Sequence, residues 1–255
     1  MHRIESMLSA AHLRNIFSNK WSYNFSIPTI KVLEALTMKK CQEYMSLETL
    51  ETVGDAFLKY VASRHVFTKY SQQHEGKLTS KRIRITSNHA LCKISCERKI
   101  EGYIRNENFD PQRWIIPGEH LALYYGVLQD KFHTSENMYI KEYRCMNTKN
   151  IADVVEALIG ACLETGGETV ALSFMKWLGM DIEIPQEMPF TRKLDTGFVS
   201  NVNVPYLESL LKYSFRVPIL LLESVTHASY QEPSVSGCYQ RLEFLGDVVL
   251  DYLIT

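Results

Sequence analysis

Apolar residues recur at three- and four-residue spacing along most of this 255-residue chain, and strict alternation is rare, so the pattern predicts helices rather than strands. Residues 1–17 form one predicted helix, with Ile4, Leu8, Ala11 and Phe17 on one side. Residues 27–70 are strongly helical, as IPTIKVLEALTMKKC, a short break, and SLETLETVGDAFLKYVASRHVFTKY, with Ser46 as the expected N-cap. Two shorter helices follow within 77–100. A loop is expected at 105–120, where RNENFDPQRWIIPGEH carries two prolines and a tryptophan. The helix NIADVVEALIGACLETGG should stop at Gly166-Gly167 and a further helix, ETVALSFMKWLGM, should follow. Periodicity is lost over 181–204, which holds two prolines and reads as a linker.

After that linker the pattern restarts. VPILLLESVTHASYQ at 217–231 corresponds to IPTIKVLEALTMKKCQ at 27–42, and QRLEFLGDVVLDYL at 240–253 corresponds to LETLETVGDAFLKY at 47–60. Residues 47–60 and 240–253 both contain Leu-Glu-x-x-Gly-Asp, so the chain carries an internal duplication of a large unit. The first unit extends to about residue 180, and the second reaches Thr255 inside its own Leu-Glu-x-x-Gly-Asp helix, so the second unit is expected to be partial and the chain a fragment. About 50 residues are too few to bury a stable core alone. Residues 205–255 are therefore expected either to be loosely ordered or to dock on the first Leu-Glu-x-x-Gly-Asp helix.

The repeated motif concentrates chemistry. Glu51 and Asp55, and again Glu243 and Asp247, are four apart and share a helix face. The glycine between them, Gly54 or Gly246, is unfavourable in a helix interior by about 1 kcal/mol relative to alanine, and its use twice points to close approach by a backbone, a metal or a substrate. A further acidic pair, Asp153 and Glu156, is spaced i, i+3 on an otherwise apolar helix, where two carboxylates must be solvated, paired or metal-bound. Glu51, Asp55, Asp153 and Glu156 form an all-oxygen set suited to Mg²⁺ or Mn²⁺ rather than zinc, and such sets support attack of water on phosphodiesters. The plainer alternatives are a solvated face for Glu48 and a capping role for Asp153 behind an Asn150 N-cap.

Composition narrows the partners. The net charge is −1, yet residues 77–105 hold eight basic residues against two acidic ones. Lys77, Lys81, Arg82 and Arg84 head this stripe, which suits phosphate contacts, with a solvated helix face as the alternative. Six scattered cysteines without a framework suggest reduced thiols in an intracellular protein. His89, Cys92 and Cys96 make a weak zinc pattern without a fourth ligand nearby. His227 reads as a packing or hydrogen-bonding residue. No apolar run reaches membrane-span length, and the N-terminus is a poor secretory signal, so no membrane partner is expected.

LETLETVGDAFLKYVASRHVF and YQRLEFLGDVVLDYLIT resemble the two ribonuclease III signatures of Dicer proteins. HEGKLTSKRIRITSNHAL resembles the segment after the signature helix, and IADVVEALIGACLETGG the second acidic motif. The tandem arrangement, MHRIESML and the NFDPQRWIIPG loop are most similar to plant Dicer-like proteins. The resemblance implies an all-α fold, with a connector at 1–26, a complete ribonuclease III domain at 27–180, a linker at 181–204 and the start of a second such domain at 205–255. It implies Mg²⁺-dependent (or Mn²⁺-dependent) cleavage of double-stranded RNA in RNA silencing, in the nucleus or cytoplasm. It assigns Glu51, Asp55, Asp153 and Glu156 to catalysis and metal binding, and Glu243 and Asp247 to an incomplete second metal site. It also implies pairing with another ribonuclease III domain, as an intramolecular pseudo-dimer or a homodimer. The rival expectations are a non-catalytic module that titrates other ribonuclease III domains, and an unrelated helical phosphohydrolase acting on small substrates.

Overall fold

A computed structural model describes residues 2–18, 27–108, 146–184, 203–230 and 237–255. Nine α-helices and no strand occur among them: α1 (His2–Ser18), α2 (Thr29–Leu36), α3 (Glu48–Lys69), α4 (Glu75–Thr86), α5 (Asn88–Glu97), α6 (Thr148–Leu178), α7 (Val204–Leu211), α8 (Pro218–Val225) and α9 (Gln240–Ile254). The all-α expectation from apolar spacing therefore holds. The greater part of the 105–120 loop and of the 181–204 linker lies outside the described residues.

Helix ends refine the sequence reading. α3 begins at Glu48, so Leu47 rather than Ser46 precedes the first helical residue, and the Leu47 carbonyl accepts from Glu51 N at 2.8 Å. α6 is capped by Asn147, whose side chain accepts from Lys149 N, not by Asn150. Asp153 therefore lies well inside the helix and takes no part in a capping box. The break expected at Gly166-Gly167 is present: Gly167 has φ 70° and ψ −172°, which a side chain at Cβ would disfavour, and it divides α6 into two helical stretches.

Two compact units account for the described residues. The first comprises Met1–Leu58, Arg84–Ile182 and Thr255, and the second Lys59–Ile83 and Glu183–Ile254. In the first, α6 is the central element. Ile151, Val154, Val155, Leu158, Ile159 and Cys162 are all buried, so this stretch is apolar around most of its circumference, and α2 and α5 pack against it. Its second stretch meets α1 through Phe17, Phe174 and Trp177, with ring centroids 5.3–5.8 Å apart. Arg98 lies over Trp177, 5.3 Å from the ring centroid, and its Nε donates to the Leu178 carbonyl. Lys31 joins α2 to α6 by an ion pair with Glu164 at 2.9 Å.

The second unit joins the end of α3 and α4 to the C-terminal segment. Val204, Leu221 and Leu222 form a small buried cluster with Leu207 and Phe215 against it. His65 is buried on α3, and its Nδ1 accepts from Glu183 N at 3.0 Å. α9 lies against α3: Tyr252 stacks on Tyr60 with centroids 4.8 Å apart, and Arg241 reaches the carbonyls of Phe67, Tyr70 and Gln73. Of the two expectations for residues 205–255, docking on the first Leu-Glu-x-x-Gly-Asp helix describes these contacts.

The duplication is visible in main-chain bonds. Thr37 ends α2 with its hydroxyl donating to Leu33 O at 2.7 Å, and Thr226 ends α8 with its hydroxyl donating to Leu222 O at 2.7 Å. Thr37 O accepts from Leu47 N at 2.9 Å and Thr226 O from Tyr239 N at 3.0 Å; each of those residues then accepts from the motif glutamate, Glu51 N or Glu243 N, at 2.8 Å. His227 lies just beyond α8, exposed, with Nδ1 2.7 Å from Ser229 Oγ, whereas its counterpart Met38 is buried.

Candidate active site

The site is built where α3 and α6 cross with almost no side chain between them. A Cβ placed on Gly54 would lie 1.8 Å from the Glu156 carbonyl oxygen and 2.8 Å from Gly160 N; one on Gly160 would lie 2.0 Å from Leu50 O. No real carbon occupies such positions, so both residues must be glycine for the backbones to touch. Glu51 is one turn before Gly54, and Glu156 is one turn before Gly160. The crossing therefore brings acidic side chains from two helices to one place.

Glu51, Asp153 and Glu156 each offer a carboxylate oxygen, and these three atoms lie within 4.8 Å of one another. Among the described residues this is the one group of three or more metal-competent side chains so arranged. Asp153 and Glu156 are each only 7% exposed, and Glu51 is half-buried. Asp55 stands outside the 4.8 Å group, one turn along α3 and half-buried, near enough for its charge to act on Glu51.

Burial pushes the Glu51 carboxyl above its ordinary range, and the Asp153 charge adds to the rise; Lys149 opposes it, while Asp55 and Glu48 raise it further. Lys149 Nζ is 3.2 Å from Asp153 Oδ2, a bond that raises the lysine pKa, with Glu51 and Glu156 contributing. Sequence reasoning passed over Lys149, although its position four residues before Asp153 on α6 was an available signal, and it passed over Gly160. Three carboxylates close together with an exposed lysine as counter-charge fit a hard cation with oxygen ligands.

A raised folded-state pKa on a carboxylate means that the native chain binds more protons than the unfolded chain between the ordinary value and the raised one. Metal-free stability should then fall as pH rises through that window. Glu51→Gln in chelator is expected to raise the thermal midpoint at pH 7.5 and to lose this advantage below the ordinary carboxylate range. Thermal melts across pH check it, and an unchanged difference at all pH values would contradict it.

The second copy is arranged differently. Glu243 and Asp247 are exposed on α9, and a Cβ on Gly246 would meet nothing within 4 Å. The basic stripe also divides. Lys77 and Arg84 are exposed, but Lys81 Nζ lies 3.8 Å from the Tyr70 ring centroid, and Arg82 lies over Phe244 at 5.0 Å. Arg105 pairs with Glu43. His89 is exposed while Cys92 is buried, and they join no metal-competent group among the described residues.

Residues 48–167 match the family model of the ribonuclease III domain, a span running from the first residue of α3 to the Gly167 break. This segment of the chain is a ribonuclease III domain. Over its whole length it is similar to plant Dicer homologues: 46% identical over 261 residues to endoribonuclease Dicer homolog 2 of Arabidopsis thaliana and 46% over 258 residues to endoribonuclease Dicer homolog 2a of Oryza sativa subsp. japonica. It is 40% identical over 290 residues to endoribonuclease Dicer homolog 1 of Arabidopsis thaliana. The chain spans 18% of the length of the first two relatives and 14% of the third.

Proposed function

We propose that this chain is the catalytic-domain portion of a Dicer-type endoribonuclease that hydrolyses double-stranded RNA with Mg²⁺ or Mn²⁺, in small-RNA production in the nucleus or cytoplasm. The observation that carries the reading is the carboxylate triple, Glu51, Asp153 and Glu156, formed at a glycine-to-glycine helix crossing within the span that matches the ribonuclease III family. Glu51, Asp153 and Glu156 would hold the ion, with Asp55 at the edge of the same acidic surface. A divalent ion there would polarise phosphodiester oxygens and lower the pKa of bound water. The chain's own residues supply a rigid, oxygen-only binding face; Lys149 balances its charge until the ion binds. Lys77 and Arg84 remain available for phosphate contacts. Residues 27–180 would form the first ribonuclease III domain and 205–255 the beginning of a second, the two pairing within one chain. In that pairing Glu243 and Asp247 would form part of a second metal site.

The test is cleavage of labelled duplex RNA by the purified chain with Mg²⁺, beside Glu156→Ala and a Ca²⁺ substitution. Cleavage by the wild type, lost in both controls, is expected. Equal cleavage by Glu156→Ala would overturn the site.

A second reading rests on α9, where Leu250, Leu253 and Ile254 are 59%, 72% and 82% exposed and Gly246 is open. In it the chain pairs with other ribonuclease III domains without cutting. Metal-independent pairing by a wild-type chain that does not cleave would favour it.

A further inference from the structure

We propose that the C-terminal end of α3 is a socket for an arginine-bearing copy of the Leu-Glu-x-x-Gly-Asp helix, and that Arg241 makes pairing between copies directional. This deepens the paired-domain reading above and rests on it.

Aligned on the motif, Arg241 corresponds to Thr49, Phe244 to Thr52 and Tyr252 to Tyr60. Tyr60 and Tyr252 stack on each other at an interplanar angle of 13°. Equivalent residues meet themselves at a two-fold axis, so this stack marks local pseudo-two-fold pairing of α9 with the second half of α3.

The pairing is not symmetric in chemistry. Arg241 is 8% exposed, yet its charge is well placed. Its Nη1 donates to Tyr70 O at 3.1 Å and to Gln73 O, its Nη2 donates to Phe67 O at 3.2 Å, and its guanidinium carbon lies 4.6 Å from the Phe67 ring centroid. α3 ends at Lys69, so these are carbonyls of its last turn and of the turn beyond. Tyr70 O also accepts from Gln73 N at 3.1 Å, and carbonyls at and just past a helix C-terminus carry the negative end of the helix dipole, which favours a cation there. The planar fork of an arginine reaches several of them together. One turn on, Phe244 is buried beneath Arg82, whose Nη1 reaches Ser63 Oγ at 3.4 Å.

The first copy carries neither anchor. Thr49 and Thr52 are both exposed, and a threonine is too short to reach the end of a neighbouring helix and brings no charge. Two first-type copies meeting through α3 would leave both helix ends without the guanidinium. The α3 socket therefore selects a second-type copy and discriminates against a homodimer of first-type copies.

The experiment uses the full chain and reads pairing without reference to cleavage, so it stays distinguishable from failure of the nuclease reading. Amide hydrogen exchange is measured on wild type, Arg241→Gln and Arg241→Lys. Arg241→Gln should lose at least about tenfold protection across 240–254 while α6 amides at 151–162 keep theirs, and Arg241→Lys should lose less. Unchanged protection at 240–254 in Arg241→Gln would overturn the latch. If Arg241→Gln unfolds throughout, the Lys variant decides by the same criterion. Sedimentation velocity supplies the second arm. Arg241→Gln alone should stay monomeric, whereas adding Thr49→Arg to it should produce dimers, because each copy now offers an arginine to the other's vacated socket. Dimerisation of Arg241→Gln alone, or a double variant that stays monomeric, would overturn the discrimination.

Discussion

Replacing Gly54 by alanine should destabilise this chain severely, while the same change at Gly246 should stabilise it, although the two glycines occupy the same place in a repeated motif. At Gly54 the new methyl would lie 1.8 Å from a main-chain oxygen of α6, and backbone cannot rotate aside as a side chain would. α3 and α6 would have to separate along a contact lined by the buried residues of both helices. Overpacking of that kind costs about 3 kcal/mol, against an intrinsic gain near 1 kcal/mol for alanine over glycine in a helix. For a chain of this size, a net loss near 2 kcal/mol lowers Tm by roughly 4–8 °C. At Gly246 nothing stands within 4 Å, so only the intrinsic gain remains, about 1 kcal/mol. Thermal melts of both variants test the pair together. Equal and opposite shifts are not required, but opposite signs are. A Gly54→Ala chain as stable as wild type would show that the helices do not touch through their backbones.

Loss of a carboxylate from the triple should be the most damaging change to divalent-ion binding. Glu156→Gln or Asp153→Asn removes a buried carboxylate oxygen from a group spanning 4.8 Å, and the proposed site predicts a fall in Mn²⁺ affinity on the order of 100-fold or more. Metal-free stability should hold or rise, because a buried like charge has been removed. That combination separates a ligand from a merely structural acid, whose loss would weaken folding as well. Asp55→Asn, outside the tight group, should weaken the ion less than either. Isothermal titration in metal-stripped buffer, with melts on the same samples, resolves the order. A ranking with Asp55 first would place the ion further along α3 than the triple suggests.

These expectations separate what local sequence carries from what it cannot. Gly166-Gly167 announced a break because positive φ is a property of the residue itself. The acidic pairs were visible because i, i+3 and i, i+4 spacing fixes a helix face whatever the surroundings. The partner of Gly54 was not visible: Gly160 lies 106 positions away, and nothing local says which helix another helix crosses. Lys81 and Arg82 share a cause. A basic side chain looks available for phosphate until a ring such as Tyr70 or Phe244 is found beneath it. The residues preceding the two helices, Leu47 and Asn147, fell one and three residues from the expected caps at Ser46 and Asn150, because neighbouring residues near a helix start compete for the role.

The matching ties at Thr37–Leu47 and Thr226–Tyr239 have a consequence for what lies between them. Nine residues separate the first pair and twelve the second, yet both spans leave from a threonine that folds its hydroxyl back onto the preceding turn and return onto a main-chain amide. Because these anchor points are backbone atoms, the doorway into the acidic helix keeps its form whatever the span's length; within 38–46, however, Met38 and Cys41 are buried and Glu43 pairs with Arg105, so it is the exposed positions Lys40 and Tyr44 that are free to carry a label without disturbing the approach to the carboxylates.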